Sequence, residues 1–125
     1  METKVIRVIN KMITNSKRIG NVIKSSQSTN EYFFTYKGSY KWSIMESPMA
    51  NGEILLYYYP MNLNLHEISM LLEPEIEFIT YKSGEFKSKE ADESFRELFS
   101  IVKSKYLGMD KVLDDILNES DDLPF

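Results

Sequence analysis

Nine of the sixteen aromatic residues fall between positions 32 and 59: Tyr32, Phe33, Phe34, Tyr36, Tyr40, Trp42, Tyr57, Tyr58 and Tyr59. Rings presented on a β-surface are stacking platforms for unpaired nucleobases, each base contributing about 1–3 kcal/mol with little sequence preference. Cations are concentrated as well. Residues 1–30 hold Lys4, Arg7, Lys11, Lys17, Arg18 and Lys24 against Glu2 alone, a balance of +5, and Lys37 and Lys41 flank the first turn of the aromatic stretch. Such residues can neutralise phosphates while rings hold bases. The candidate residues for binding single-stranded DNA are therefore Lys4, Arg7, Lys11, Arg18, Tyr32, Phe34, Tyr36, Lys37, Tyr40, Lys41, Trp42, Tyr57 and Tyr59.

Other chemistries are poorly supplied. The chain has no cysteine, which removes disulfides, thiolate zinc sites, iron–sulfur clusters and cysteine nucleophiles together. His66 is the single histidine and reads as a surface or packing residue at a helix start. Met45, Met49, Met61 and Met70 read as gap-fillers rather than ligands. One enzymatic pattern is present. Pro74-Glu75, nine residues and then Glu85-Phe86-Lys87 resembles the PD-(D/E)xK signature of metal-dependent nucleases, whose carboxylates hold Mg²⁺ and whose lysine supports the attacking water. Glutamate stands where that signature has its first aspartate, and Glu73, Glu77 and Glu85 read as an exposed edge. The expectation is a protein that is not an enzyme and holds neither metal nor cofactor.

The elements that must position the rings are legible in outline. Val5, Val8, Ile9, Met12 and Ile13 recur at helical spacing, with Lys4, Arg7, Lys11 and Arg18 opposite, so the N-terminal stretch predicts an amphipathic helix. A polar connector follows over Ser25–Asn30. Glu31–Lys37 and Ser39–Glu46 predict a hairpin with Gly38 at the first turn position, and Asn51-Gly52 predicts a second turn into Glu53–Tyr59. Asn64 and Glu67 have capping-box spacing for a short helix over Leu65–Leu72, ended by Pro74. Glu75–Lys82 is a fourth strand, which Ser83-Gly84 could turn into a short fifth through Phe86. Ser88 caps a helix to about Leu107, Gly108 stops it, and Asp110 opens a last helix with Leu113, Ile116 and Leu117 facing inward.

This order, α-βββ-α-β(β)-α-α, predicts an α+β domain with a four- to five-stranded antiparallel sheet and packed helices. By analogy of element order, the single-strand-binding fold of plant Whirly proteins or an α/β-decorated OB-fold would accommodate it. Tyr32, Phe34 and Tyr36 should share one face, as should Tyr40, Trp42 and Ile44, and both faces are not expected to be core. Helices on one face would leave the other for DNA. At 125 residues the chain suffices for one domain, assigned to residues 1–118, followed by a disordered acidic tail over 119–125. No targeting segment and no bilayer-spanning run is evident, so a soluble cytoplasmic protein without membrane contact is expected.

The net charge of −4 is distributed unevenly: residues 108–125 carry six acidic groups against Lys111, a balance of −5. The chain ends Glu119-Ser120-Asp121-Asp122-Leu123-Pro124-Phe125. On average residue usage, an acidic pair followed by aliphatic-Pro-Phe at a C-terminus arises by chance in about one chain in 10⁵. These seven residues resemble the acidic tip of bacterial and bacteriophage single-stranded-DNA-binding (SSB) proteins. The resemblance implies that Asp121, Asp122, Leu123, Pro124 and Phe125 bind partner proteins of replication, recombination and repair. Charge steers such a tip, while ring and terminal carboxylate enter an apolar pocket rimmed by Arg or Lys. The function expected is single-strand DNA binding in a phage or mobile element, with assembly into a homo-oligomer a further expectation. The competing reading is a mimic of the SSB tip that binds host proteins and no DNA.

Overall fold

The computed structural model describes residues 2–26, 30–48, 52–71 and 75–119. Among these, the elements run α1 (Glu2–Thr14), β1 (Ile19–Lys24), β2 (Glu31–Tyr36), β3 (Tyr40–Glu46), β4 (Ile54–Tyr59), α2 (Leu65–Met70), β5 (Ile79–Lys82), α3 (Lys89–Leu107) and α4 (Met109–Leu117), with 3₁₀ turns at Ser16–Arg18 and Ser83–Phe86. The five strands form one antiparallel sheet in chain order, β1-β2-β3-β4-β5. The α+β class and the antiparallel sheet are as the sequence predicts.

Alternation along the strands sends side chains to two cores. Tyr32 and Phe34 of β2, Ile44 of β3, and Ile54 and Leu56 of β4 pack with Ile9 and Met12 of α1 and Phe95, Leu98 and Val102 of α3. On the opposite face Phe33 and Tyr59 are buried with Leu65 and Ile68 of α2. The expectation of a single covered face is thus corrected. The register also places both aromatic triads on one face, because Tyr32 pairs with Ile44, Phe34 with Trp42 and Tyr36 with Tyr40.

Strand count agrees with expectation, but one strand lies elsewhere. The N-terminal helix stops at Thr14, and residues 19–24 form β1 instead of a continuation toward the connector. Its pairing with β2 is bulged between Gly20 and Ile23, and Asn21 has φ 53°. A bulge shifts the period of two, which hides such a strand from a pattern reading. After β5 no further strand forms over residues 83–86. The Ser83 hydroxyl instead turns inward and accepts from the Ile54 amide at 3.0 Å. In the β2–β3 turn Lys37 and Gly38 both have positive φ, 58° and 74°, so glycine holds the second turn position rather than the first. Asn51, Leu72 and Pro74, on which three of the boundary expectations rest, lie outside the described residues.

Helix ends follow the side-chain chemistry. Asn64 Oδ1 accepts from the Glu67 amide at 2.9 Å, and Glu67 Oε1 accepts from the Asn64 amide at 3.1 Å. Ser88 Oγ accepts from the Ala91 amide at 3.2 Å. Gly108, at φ 69°, ends α3 and re-aims the chain into α4. That turn overturns one expectation: Leu113, Ile116 and Leu117 face solvent rather than the core.

Phe34 and Phe95 are fully buried, so truncating either to alanine should lower the unfolding free energy by about 3–5 kcal/mol. Asn64→Ala should cost about 1 kcal/mol by losing the cap. Urea denaturation curves measure both.

Candidate nucleic-acid interface

Helix α1 buries Ile9 and Met12 and leaves Lys4, Val8 and Lys11 one turn apart along its flank. Facing that flank are half-buried rings of the sheet. Val8, Lys11, Met12, Tyr36, Tyr40 and Trp42 line one hollow of about 270 Å³. Lys4, Val5, Val8, Trp42, Leu56 and Tyr81 line a second of about 120 Å³. Val8 and Trp42 belong to both, so the two hollows form one groove along α1. Its floor is apolar and its helix side carries two lysines.

The strand register builds this floor. Tyr36 and Tyr40 are cross-strand partners next to the β2–β3 turn, and Trp42 pairs with Tyr58 of β4. The Trp42 and Tyr58 rings meet edge-on with centroids 4.9 Å apart. Tyr40 is 46% exposed and Val8 40%, so the groove opens to solvent. The Trp42 Nε1–H is buried without an acceptor among the described residues, an arrangement that costs about 1–3 kcal/mol. Arg18 and Lys37 are exposed beside the turn, their backbones joined by a 3.0 Å bond from the Lys37 amide to the Arg18 carbonyl. Arg7 is exposed on α1 but does not line the groove.

The remaining candidates are not part of this surface. Tyr32 and Phe34 are buried beneath α1 and α3 and have no face to offer a base. Tyr57, Tyr59 and Lys41 lie on the other side of the sheet. Tyr57 meets Phe78 edge-on, and Tyr59 is buried against Phe33, their centroids 5.8 Å apart. Lys41 lines a separate open cleft of about 660 Å³ with Asn21, Thr35, Asn62, Asn64 and His66. Val8, Tyr58 and Tyr81 join the groove or its floor without being among the candidate strand-binding residues. Tyr81 is placed there by pairing with Leu56 across β4 and β5, information that no local pattern carries. Asp121, Asp122, Leu123, Pro124 and Phe125 lie outside the described residues.

The second face holds a polar relay inside its core. Ser43 Oγ donates to Glu31 Oε2 at 2.9 Å and lies 2.7 Å from the Tyr59 hydroxyl. With the only hydroxyl proton of Ser43 directed at Glu31, Tyr59 must donate to Ser43. Burial pushes the Glu31 carboxyl above its ordinary value, against the opposing pull of hydrogen bonds from Ser43 and Ser25. Burial likewise raises the Tyr59 phenol, keeping it a proton donor.

The charged residues of the nuclease-like spacing lie at the surface. Glu75 and Glu77 are exposed, and Glu85 Oε1 accepts from the Lys82 amide at 3.1 Å as a turn cap. Among the described residues no group of three or more His, Cys, Asp or Glu side chains is placed to hold a metal ion, and no helix is long and apolar enough to cross a membrane. No protein-family model matches the chain, and no curated protein or solved structure matches it.

Glu31 generates a pH prediction. With its folded pKa raised above the ordinary 4.5, the native state keeps a proton that the unfolded chain releases. Stability relative to Glu31→Gln should therefore fall as pH rises from about 4.5 through the folded value. Urea unfolding of both proteins between about pH 4 and pH 8 measures this difference, and a flat difference would contradict it.

Proposed function

We propose that this chain is a non-catalytic single-stranded-DNA-binding protein whose strand runs in the α1 groove. The observation that carries the reading is the convergence of Tyr36, Tyr40 and Trp42 with Lys4 and Lys11 in one open groove. Rings would stack bases in a sequence-tolerant way, and lysines two helical turns apart would follow the phosphates. Arg18 and Lys37 would extend the cationic path around the β2–β3 turn. The resemblance of the last seven residues to an SSB tip supports a second role, recruitment of replication, recombination and repair proteins through Leu123-Pro124-Phe125.

Fluorescence anisotropy of a labelled oligo-dT across a salt series tests the groove. Tyr40→Ala should weaken binding by about 1–3 kcal/mol, roughly 5- to 150-fold. Lys4→Ala and Lys11→Ala should each flatten the log–log salt slope by about 0.7. Lys41→Ala, on the opposite face, should leave affinity and slope unchanged. A form ending at Asn118 should bind more tightly at low salt, since an acidic segment that competes with phosphate has been removed. Absence of salt-dependent binding by every form would overturn the reading and leave the tip mimic in its place.

A further inference from the structure

Helix α4 is amphipathic, yet its apolar side is bare. Val112, Leu113, Ile116 and Leu117 share one side of the helix and are 44%, 52%, 56% and 80% exposed. A stripe of this kind is ordinarily buried against a neighbour. Its other side is net acidic, with Asp114 and Asp115 flanking Lys111, which lies one turn before them. Two such helices placed face to face would bring like charges together, which disfavours a symmetric α4–α4 contact.

The complementary surface exists elsewhere on the same molecule. The α1 groove is apolar along its floor, carries Lys4 and Lys11 on its helix side, and leaves Val8 open to solvent. From Lys4 to Lys11 it extends about 10 Å, and α4 is about 12 Å long, both at 1.5 Å per residue. The helix does not enter its own groove, since no α4 residue lines it. Gly108 and Lys111 border a hollow along β1, whereas the groove spans β2 to β5. At about 4.8 Å per strand, the groove begins about 5 Å from β1 and extends to about 19 Å from it. We propose that α4 of one copy docks in the α1 groove of a second copy, its leucines against Val8 and Trp42 and its aspartates beside Lys4 and Lys11.

This is a helix-in-groove contact between different patches, so it propagates head to tail unless its rotation closes a ring. The inference does not rest on DNA binding and is measured with no nucleic acid present. Sedimentation velocity on the full chain, up to about 100 μM, covers the range where contacts of micromolar strength are populated. The mass should rise with concentration at low salt and fall as salt is added. Leu113→Asp with Ile116→Asp should be monomeric, as should Lys4→Glu with Lys11→Glu. Mixing these two variants should restore one contact, giving twice the monomer mass and nothing larger. All four positions are outside the core, and circular dichroism checks that each variant is folded. Leu117→Asp, at the most exposed position, provides a second α4 variant. A monomeric wild type, a mixture that stays monomeric, or association of the lysine variant equal to wild type would each overturn the proposal.

Discussion

Side chains of β2 point alternately into two cores, and that alternation governs the placement of everything else. Phe34 enters the core under α1 and α3, while Phe33, its neighbour, enters the one under α2. Shifting β2 by one residue against β3 would exchange the two sets and turn Glu31, Phe33 and Thr35 to the face where Tyr32, Phe34 and Tyr36 now pack. The pairing of Tyr36 with Tyr40 prevents this, because the intervening turn accommodates only residues with the positive φ adopted by Lys37 and Gly38. Register, turn and double burial are mutually dependent.

The groove follows from the same alternation. Tyr36 and Trp42 occupy the face that α1 covers, but they lie toward the sheet end where that cover is incomplete. They are packed against the core on one side and reachable on the other. A ring held in this way loses little freedom when a flat ligand stacks on it, since its rotamer is already restricted by packing. The buried rings give the fold its stability, and only the peripheral ones retain a surface. The Ser43 relay meets a related demand on the opposite face, supplying the half-buried Glu31 with a donor.

Features written in short-range chemistry were legible in the sequence. The Asn64–Glu67 box, the Ser88 cap and the Gly108 stop are each set by residues within four positions of one another. The strands that hold Tyr32 to Glu46 were legible from alternation and turn residues. Strand β1 was not, because Gly20 and Asn21 interrupt its period with a bulge. Which rings would be free was also hidden: Tyr36 and Tyr32 look equivalent in the strand, and their difference depends on how far α1 and α3 reach across the sheet. Leu113, Ile116 and Leu117 have the spacing of a core-facing stripe, and only the turn at Gly108 directs them outward. Of the thirteen candidate strand-binding residues, Lys4, Lys11, Tyr36, Tyr40 and Trp42 line one groove, whereas the tip lies outside the described residues.

The bulge in β1 has a consequence at the margin of the sheet. An open meander has two outermost strands, and unpaired amides and carbonyls there invite lateral addition of a foreign chain. On one border, the left-handed Asn21 and the register shift between Gly20 and Ile23 break the row of outward-facing groups. On the other, β5 contributes only four residues before Ser83 turns the chain inward. Neither border offers a long, flat template, so amyloid-like growth by strand addition is discouraged even though the strands between them are rich in Tyr, Phe and Ile.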